Sequence, residues 1–407
     1  ICMNVKNIDE TMNKYVANGE LSCAALVVTK GKDDVYKNTW GYSDLNDKIP
    51  VDDKSIYKLM SMTKCITAVA VMILIDEGKI SLDDAVSKYI PELKNLKVSV
   101  DERYVYRGNV NPLKLIWKVA TFNPDKVKTV PANREITVRD LLSHSSGLQE
   151  GVVGFIQMLK DKKPRASMEE EAKKYAALPL GFQPGEGTGY SPIAGFDMLG
   201  LLIERVSGEK VGDFMKEKIF NPLGMKDTFF YPDTEEQNKR IVRVYKRKKE
   251  KLVDVTGGKD DMDSLLKRSN VYTACSGGLF STAGDFDKFA KMLLWGGEYD
   301  GVRILKEETV RLMATEAPKK HLEPDPGCVW GLGMKIRQNP EKANSFATEG
   351  TYGWSGAFGT HFFISPKDNL AAVFMTNRTD LNGSGSYISK EIERLVFGCF
   401  GEENKNV

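Results

Sequence analysis

The sequence predicts an α/β (α+β) fold, in which one antiparallel sheet is built from both ends of the chain and flanked by helices. Strand patterns lie near both termini, and helical patterns fill the long stretch between them. A chain of 407 residues is also longer than a single core usually organises. We therefore predict a sheet domain formed by residues 1–60 and 325–407, with a mostly helical domain inserted as residues 61–324.

Residue spacing predicts the individual elements in order. Apolar and turn residues predict the following elements: a helix over 7–17, strands over 24–28 and 35–40, a helix from 61 to 78, helices over 138–143, 194–206 and 283–295, a strand over 329–334, a hairpin over 360–364 and 370–376, and a closing helix over 386–397. Thr137-x-x-Asp140 and Thr282-x-x-Asp285 predict capping boxes. Residues 98–136 predict a long irregular loop, and such loops are often functional.

The charge composition gives no support for a nucleic-acid or membrane partner. The 58 basic residues nearly balance the 56 acidic ones, which does not favour nucleic acid or an anionic membrane. No apolar stretch approaches the ~20 residues that span a bilayer.

The six cysteines are widely spaced, which favours reduced thiols and a cytoplasmic location. Because the sequence does not begin with Met, an exported protein with its signal removed is the alternative expectation.

Several common catalytic patterns are missing from the sequence. Residues 353–357, Gly-Trp-Ser-Gly-Ala, depart from the Gly-x-Ser-x-Gly nucleophile elbow at the last position. His144 and His361 lie within predicted elements, where a structural role is the usual one. No cluster has metal-ligand spacing and no glycine loop suits a phosphate, so neither a metal nor a cofactor is expected.

One arrangement remains, Ser61-Met62-Thr63-Lys64 at the start of an apolar helix. Residues three apart share a helix face, so the Lys64 amine can reach the Ser61 hydroxyl. A serine hydroxyl needs a base to become a nucleophile, and an unprotonated lysine can serve. Free N–H groups at the helix start can also bind an oxyanion. The alternative is a helix-capping Ser61 beside a surface Lys64.

Two further motifs follow in the chain, Tyr190-Ser191-Pro192 and Trp354-Ser355-Gly356. With Ser61-x-x-Lys64 they resemble the motifs of the serine β-lactamase and penicillin-binding protein superfamily. The likeness is strongest to the class C β-lactamase-like branch, which includes the family VIII carboxylesterases. It extends over residues 8–400 and includes segments 57–64, 136–148, 221–228, 277–285 and 356–360.

The resemblance implies a β-lactamase/transpeptidase-like fold with the active site between the two domains. It implies that Ser61 is acylated and then released by water, with Lys64 as its proton acceptor and Tyr190 as a second acid and base. Backbone N–H groups of Ser61 and Ala357 would form the oxyanion hole. The alternative for Tyr190 is a packing residue that precedes the next helix.

Two positions depart from the family pattern. Pro192 replaces an asparagine whose amide can bind substrate, and Trp354 replaces a lysine that attracts the carboxylate of a β-lactam or a D-alanyl group. Together with Ser355 and Gly356 they are expected to line the substrate cleft. Both replacements favour neutral esters, although a cation at Lys335 or Arg378 could substitute for the missing lysine.

The sequence thus predicts a serine acyl hydrolase that forms a covalent acyl-enzyme, most simply a carboxylesterase acting on a small neutral ester. A β-lactamase, a D-amino-acid peptidase or amide hydrolase, and an acyltransferase are alternatives with the same chemistry. A penicillin-binding sensor without turnover and an inactive scaffold are further alternatives. The presence of Ser61, Lys64 and Tyr190 argues against both. No oligomeric state is predicted.

Overall fold

One eight-stranded antiparallel sheet organises the fold. The computed structural model describes residues 4–104, 112–161, 165–261 and 272–402. The strands are β1 Cys23–Lys30, β2 Asp33–Asp44, β3 Ile49–Pro50, β4 Cys328–Trp330, β5 Lys335–Arg337, β6 Tyr352–Ser355, β7 His361–Ser365 and β8 Leu370–Met375. Their order across the sheet is β4-β5-β6-β7-β8-β1-β2-β3. The N-terminal β1 therefore pairs with the C-terminal β8, which confirms the sheet predicted from both termini.

The sheet is covered on both faces. In β1, Leu26 packs into a cluster with the helices Val5–Ala17 and Tyr387–Phe400, whereas the adjacent Val27 packs into the main core on the opposite face. Side chains alternate between the faces of a strand, so covering both faces requires a continuous apolar run. This explains why β1 has no polar positions at its centre.

The other helices and short strands lie mostly between β3 and β4 in the chain. The helices are Thr63–Asp76, Pro112–Thr121, Val138–Leu142, Gly151–Lys160, Met168–Ala176, Ala194–Ser207, Val211–Met215, Asn221–Leu223, Glu235–Lys239, Ala283–Leu294 and Glu307–Met313. Short strand pairs join Tyr57–Lys58 to Phe280–Ser281, Lys97–Ser99 to Thr129–Pro131, Tyr245–Lys248 to Lys251–Asp254, and Glu298–Tyr299 to Val302–Arg303. Among the described residues, no helix has the length and apolar character needed to cross a bilayer.

The continuous strand predicted over residues 329–334 is wrong. Strand β4 ends at Trp330, and the chain turns before β5 begins at Lys335. Gly333 adopts φ +83°, and a Cβ on it would lie 2.3 Å from the Cβ of Ala68. The turn therefore brings the chain against the helix Thr63–Asp76, a constraint that strand periodicity does not reveal.

The irregular loop predicted over residues 98–136 is also wrong for its described part. The strands Lys97–Ser99 and Thr129–Pro131 pair with each other, and the helix Pro112–Thr121 lies between them in the chain. Tyr104 and Phe122 are buried in a small separate cluster, whereas Trp117 is 57% exposed. The segment thus contributes to a local cluster apart from the main core. Tyr106 lies outside the described residues.

The two predicted capping boxes have different outcomes. The Thr137 hydroxyl accepts the Asp140 N–H, and the Asp140 carboxylate accepts the Thr137 N–H, which confirms the first box. The Thr282 hydroxyl accepts the Asp285 N–H, but the Asp285 carboxylate accepts the N–H of Asp227 instead of that of Thr282. The second helix therefore has a cap without the reciprocal bond, because its acid is used in a tertiary contact.

Candidate active site

Ser61 lies in a single 3-10 turn, Met60–Met62, directly before the helix Thr63–Asp76. The preceding Met60 adopts φ +49°, which is unfavourable for a residue with a side chain. Two hydrogen bonds at Leu59 fix this turn: its N–H donates to Leu279 O at 2.9 Å, and its carbonyl accepts from Thr360 Oγ1 at 3.0 Å. The turn thus presents a partly exposed Ser61 from a rigid frame.

The Lys64 amine is fully buried beneath Ser61. Its Nζ lies 3.3 Å from Ser61 Oγ, and it donates to the carbonyls of Pro192 at 2.7 Å and Ser276 at 2.8 Å. An unprotonated amine has two N–H donors and one lone pair. In that form, with both donors taken by the carbonyls, Lys64 would direct its lone pair at Ser61, whereas the protonated form donates a third N–H to Ser61 Oγ. Pro192 therefore contacts Lys64 through its main chain, a role its side-chain type does not reveal.

Tyr190 completes the contacts of Ser61. Its hydroxyl donates to Ser61 Oγ at 2.7 Å, and its ring centroid lies 5.0 Å from Lys64 Nζ. Trp354 Nε1 donates to the Tyr190 hydroxyl at 3.4 Å. The hydroxyl of Ser61 thus has a lysine amine and a phenol within reach. Such an arrangement can accept the serine proton on one side and return a proton on the other.

Trp354 forms part of an aromatic wall, and it also donates a hydrogen bond. Its ring packs against Trp330 at a centroid distance of 4.8 Å and against Tyr190 at 5.2 Å. Of the two cations considered in the sequence, Lys335 lies beside it, with Nζ 5.1 Å from the ring centroid. That ammonium pairs with Asp325 at 2.7 Å.

Arg378 does not lie beside the aromatic wall. Its guanidinium binds the Asp380 carboxylate and the main-chain carbonyl of Glu20. These contacts tie the segment after β8 to the loop that follows the first helix. Arg378 therefore has a structural contact, and Lys335 is the cation that lies near Trp354.

His144 was assigned a structural role from the sequence, and it lies behind Tyr190. Its ring centroid is 4.8 Å from that of Tyr190 and 4.4 Å from that of Trp330, and its Nδ1 accepts the Ser191 N–H at 3.1 Å. Burial, with the charge of Lys64 as a smaller cause, lowers the pKa of His144 well below its usual value. His144 is therefore a neutral group that positions the Tyr190 segment.

Ser355 is in hydrogen-bond contact with His361, a histidine for which the sequence predicts a structural role. Ser355 Oγ lies 2.7 Å from His361 Nδ1, and His361 Nε2 lies 3.2 Å from the carboxylate of Glu393. Burial opposes ionisation of Glu393, but the hydrogen bond from His361 and the charge of Arg337 lower its pKa to about 2. Ionised Glu393 can only accept, so His361 Nε2 donates to it, and His361 Nδ1 is left to share a proton with the Ser355 hydroxyl.

This serine–histidine–carboxylate line is closed to substrate. Ser355, His361 and Glu393 are 3%, 4% and 4% exposed. The cavity beside them has a volume of about 10 Å³, which is room for one water molecule at most. Sequence spacing could not reveal the line, because Glu393 comes from the last helix of the chain.

Gly356 and Ala357 lie in the turn between β6 and β7, against the Ser61 turn. The Gly356 N–H donates to Thr360 O at 2.8 Å, and a Cβ on Gly356 would lie 2.2 Å from the Leu59 carbonyl oxygen. Only glycine permits this approach. It places Ala357 beside the turn that carries Ser61, and the oxyanion hole formed by their N–H groups stays a prediction. Within the described ranges, no group of three or more His, Cys, Asp or Glu is arranged to hold a metal ion.

Comparison with known proteins identifies the family. A family model described as Beta-lactamase matches residues 8–396. Protein Rv1367c of Mycobacterium tuberculosis is 30% identical over 387 residues, covering 92% of this chain and 90% of that protein. The lovastatin esterase of Penicillium rubens is 30% identical over 395 residues, covering 90% and 91%. The structure of EstCE1, a hydrolase with promiscuous acyltransferase activity, has a TM-score of 0.77 at 22% identity, covering 96% of this chain and 98% of that one. These matches span nearly the whole sequence, and the chain therefore belongs to the beta-lactamase family as a serine hydrolase of that fold.

Proposed function

We propose that this protein is a carboxylesterase that acts on small neutral esters, with Ser61 as its nucleophile. The observation that carries the proposal is the position of Ser61 Oγ, 3.3 Å from the Lys64 amine and 2.7 Å from the Tyr190 hydroxyl. The similarity to a lovastatin esterase over 90% of the chain supports ester hydrolysis.

The geometry suggests a two-step reaction. Lys64 takes the Ser61 proton while Oγ attacks the ester carbonyl carbon, and the oxyanion binds the N–H groups of Ser61 and Ala357. Collapse of this intermediate breaks the carbon–alkoxide bond, and Tyr190 supplies the proton that releases the alcohol. Water then attacks the acyl carbon and gives its proton to the Tyr190 phenolate. The bond between Ser61 Oγ and the acyl carbon breaks, Lys64 returns its proton to Oγ, and the carboxylic acid leaves.

The preference for neutral substrates is inferred from charge. A β-lactam or D-alanyl substrate brings a carboxylate, and burying an unpaired charge is costly. Trp354 offers an indole at this position, and the nearby Lys335 ammonium is paired with Asp325. A neutral ester avoids these costs and gains contact with the aromatic wall.

The nucleophile can be tested by covalent labelling. A fluorophosphonate should add once to the wild type by intact-mass spectrometry, and peptide mapping should place the adduct on Ser61. Ser61→Ala should abolish the adduct and ester turnover. Ser355→Ala is the matched control, because Ser355 is a second serine in contact with a basic side chain, and it should keep the adduct.

The substrate class needs a separate panel. A short-chain p-nitrophenyl ester should be hydrolysed with a higher kcat/KM than nitrocefin or a D-alanyl amide. An adduct that persists in Ser61→Ala and disappears in Ser355→Ala would show that Ser355 is the nucleophile and that the assignment of Ser61 is wrong. A burst of product without steady turnover would instead indicate a sensor.

A further inference from the structure

A buried polar network extends from Lys64 through Ser276 to Asp197 in the helix Ala194–Ser207. The Ser276 carbonyl accepts from Lys64 at 2.8 Å, and the Ser276 N–H donates to Asp197 Oδ1 at 2.8 Å. Asp197 is fully buried in the first turn of that helix. One carboxylate therefore restrains the residue whose carbonyl binds the proposed base.

The second carbonyl that binds Lys64 is attached to the same helix. Pro192 O accepts from Lys64 at 2.7 Å, and Pro192 precedes the first helical residue, Ala194, by two positions. Asp197 thus links the Ser276 peptide to the helix Ala194–Ser207, which begins two residues after Pro192. Asp197 therefore fixes the positions of the two carbonyls that accept from Lys64 relative to each other. The direction of the lone pair on the Lys64 amine depends on where these two carbonyls lie.

The other oxygen of Asp197 is also occupied. The Tyr272 hydroxyl donates to Asp197 Oδ2. Arg165 in turn donates to that hydroxyl at 3.3 Å and to the Tyr175 hydroxyl at 2.6 Å. Burial raises the pKa of Asp197, and the charge of Arg165 opposes that shift. A buried carboxylate with this many partners is held in one orientation.

We propose that Asp197 is a positioning residue, which orients the Ser276 peptide so that the Lys64 amine directs its lone pair at Ser61. This inference rests on the proposed function of Ser61 and Lys64. Asp197 lies behind the base and contacts the Ser276 peptide and the Tyr272 hydroxyl. Its loss should therefore slow acylation while leaving substrate binding unchanged.

The test measures the rate of Ser61 labelling by a fluorophosphonate, normalised to the final fraction labelled. Asp197→Ala should label about 10- to 100-fold more slowly than wild type, because small errors in the position of a base have effects of this order. The kcat for a p-nitrophenyl ester should fall equally with KM unchanged. Asp197→Asn keeps an oxygen acceptor for Ser276 N–H and should retain a rate within about threefold of wild type.

Asp287→Ala is the matched control for loss of a buried acid. Asp287 is 3% exposed, pairs with Lys291 at 2.7 Å and accepts from Thr29 at 3.1 Å. It should lower the melting temperature without slowing labelling of the folded fraction. If Asp197→Ala does not fold, Asp197→Ser, whose hydroxyl is too short to reach Ser276, should show the same slow labelling.

The outcomes separate this inference from the proposed function. If wild-type Ser61 is not labelled, the proposed function fails. If it is labelled and the folded Asp197 variants react at the wild-type rate, Asp197 only stabilises the fold and the positioning role is wrong. Equal losses in Asp197→Asn and Asp197→Ala would also overturn the role, because the charge would then matter instead of the hydrogen bond.

Discussion

Trp354 stands where the family pattern has a lysine, and its indole N–H donates to the Tyr190 hydroxyl at 3.4 Å. One side chain therefore combines a hydrogen-bond donor with an uncharged aromatic surface. At the scale of residues, the proposed preference for neutral substrates rests on this exchange of a cation for an aromatic surface. The two features can be separated by substitution.

Trp354→Lys should raise the ratio of nitrocefin to ester kcat/KM at least about tenfold, because a charged hydrogen-bond partner offsets burial of the substrate carboxylate. Trp354→Phe keeps the aromatic surface, loses the N–H donor, and should leave that ratio nearly unchanged. Steady-state kinetics on a p-nitrophenyl ester and on nitrocefin measure both. Wild-type hydrolysis of nitrocefin as efficient as that of the ester would refute the charge argument.

His144 predicts a dependence of stability on pH. Its pKa in the folded protein is well below the value of about 6.5 in an unfolded chain, so below that pH the unfolded state binds a proton that the folded state does not. The free energy of unfolding should therefore fall with decreasing pH, by up to about 1.4 kcal/mol per unit from this group. Its stabilising contribution is complete above pH ~6.5.

Urea unfolding between pH 8 and pH 5 measures this effect. His144→Asn suits the comparison, because asparagine tolerates the φ of +51° and can still accept the Ser191 N–H. The variant should have a shallower dependence over this range. The same slope in both proteins would mean that other groups cause it.

Residues that act within a short motif were predictable, whereas their distant partners were not. Ser61 and Lys64 are three residues apart, in the 3-10 turn and in the first turn of the helix that follows it, so local geometry brings them together. The link from Ser355 to Glu393 and the link from Lys64 to Asp197 join residues far apart in sequence. No local spacing reports such contacts, because they depend on how the elements pack.

At the scale of elements, prediction succeeded where period and packing agree. The closing hairpin and the helix that ends before Gly208 follow their apolar patterns, and Gly208 adopts φ +77° as a helix end requires. The strand expected over 329–334 failed because Gly331 and Gly333 lie against two different helices, at Met313 and at Ala68. Close approach between elements therefore overrode local propensity.

Gly356 is a second position where two elements approach closely, and it lies at the candidate active site. A Cβ there would lie 2.2 Å from both the Leu59 carbonyl oxygen and Thr360 Oγ1, so Gly356→Ala must push the β6–β7 turn away from the Ser61 turn. We expect kcat to fall by roughly 100-fold through displacement of the predicted oxyanion hole. Gly284→Ala, which has no neighbouring atom within 4 Å, should keep full activity. Unchanged kcat in folded Gly356→Ala would separate this turn from catalysis.

At the scale of the whole molecule, the strand patterns near both ends of the chain predicted one antiparallel sheet, which the structure has. The boundaries proposed at residues 60 and 325 stay a prediction. What the sequence could not supply is the register: Ala25 pairs with Met375, and Thr29 pairs with Ala371. Register between chain ends is set by packing on both faces, which acts only after collapse.

The pairing of β1 with β8 also has a consequence for biosynthesis. A ribosome adding ~5–20 residues per second completes β8 roughly 20 to 70 s after β1. During that interval β1 can pair with β2 along one edge. Its other edge lacks its partner β8, and the later residues that cover its apolar faces are not yet synthesised. The nascent chain thus has an unpaired apolar strand that can join another chain. A message cut short before β8 would yield a product that cannot close its sheet, whatever the state of its helices.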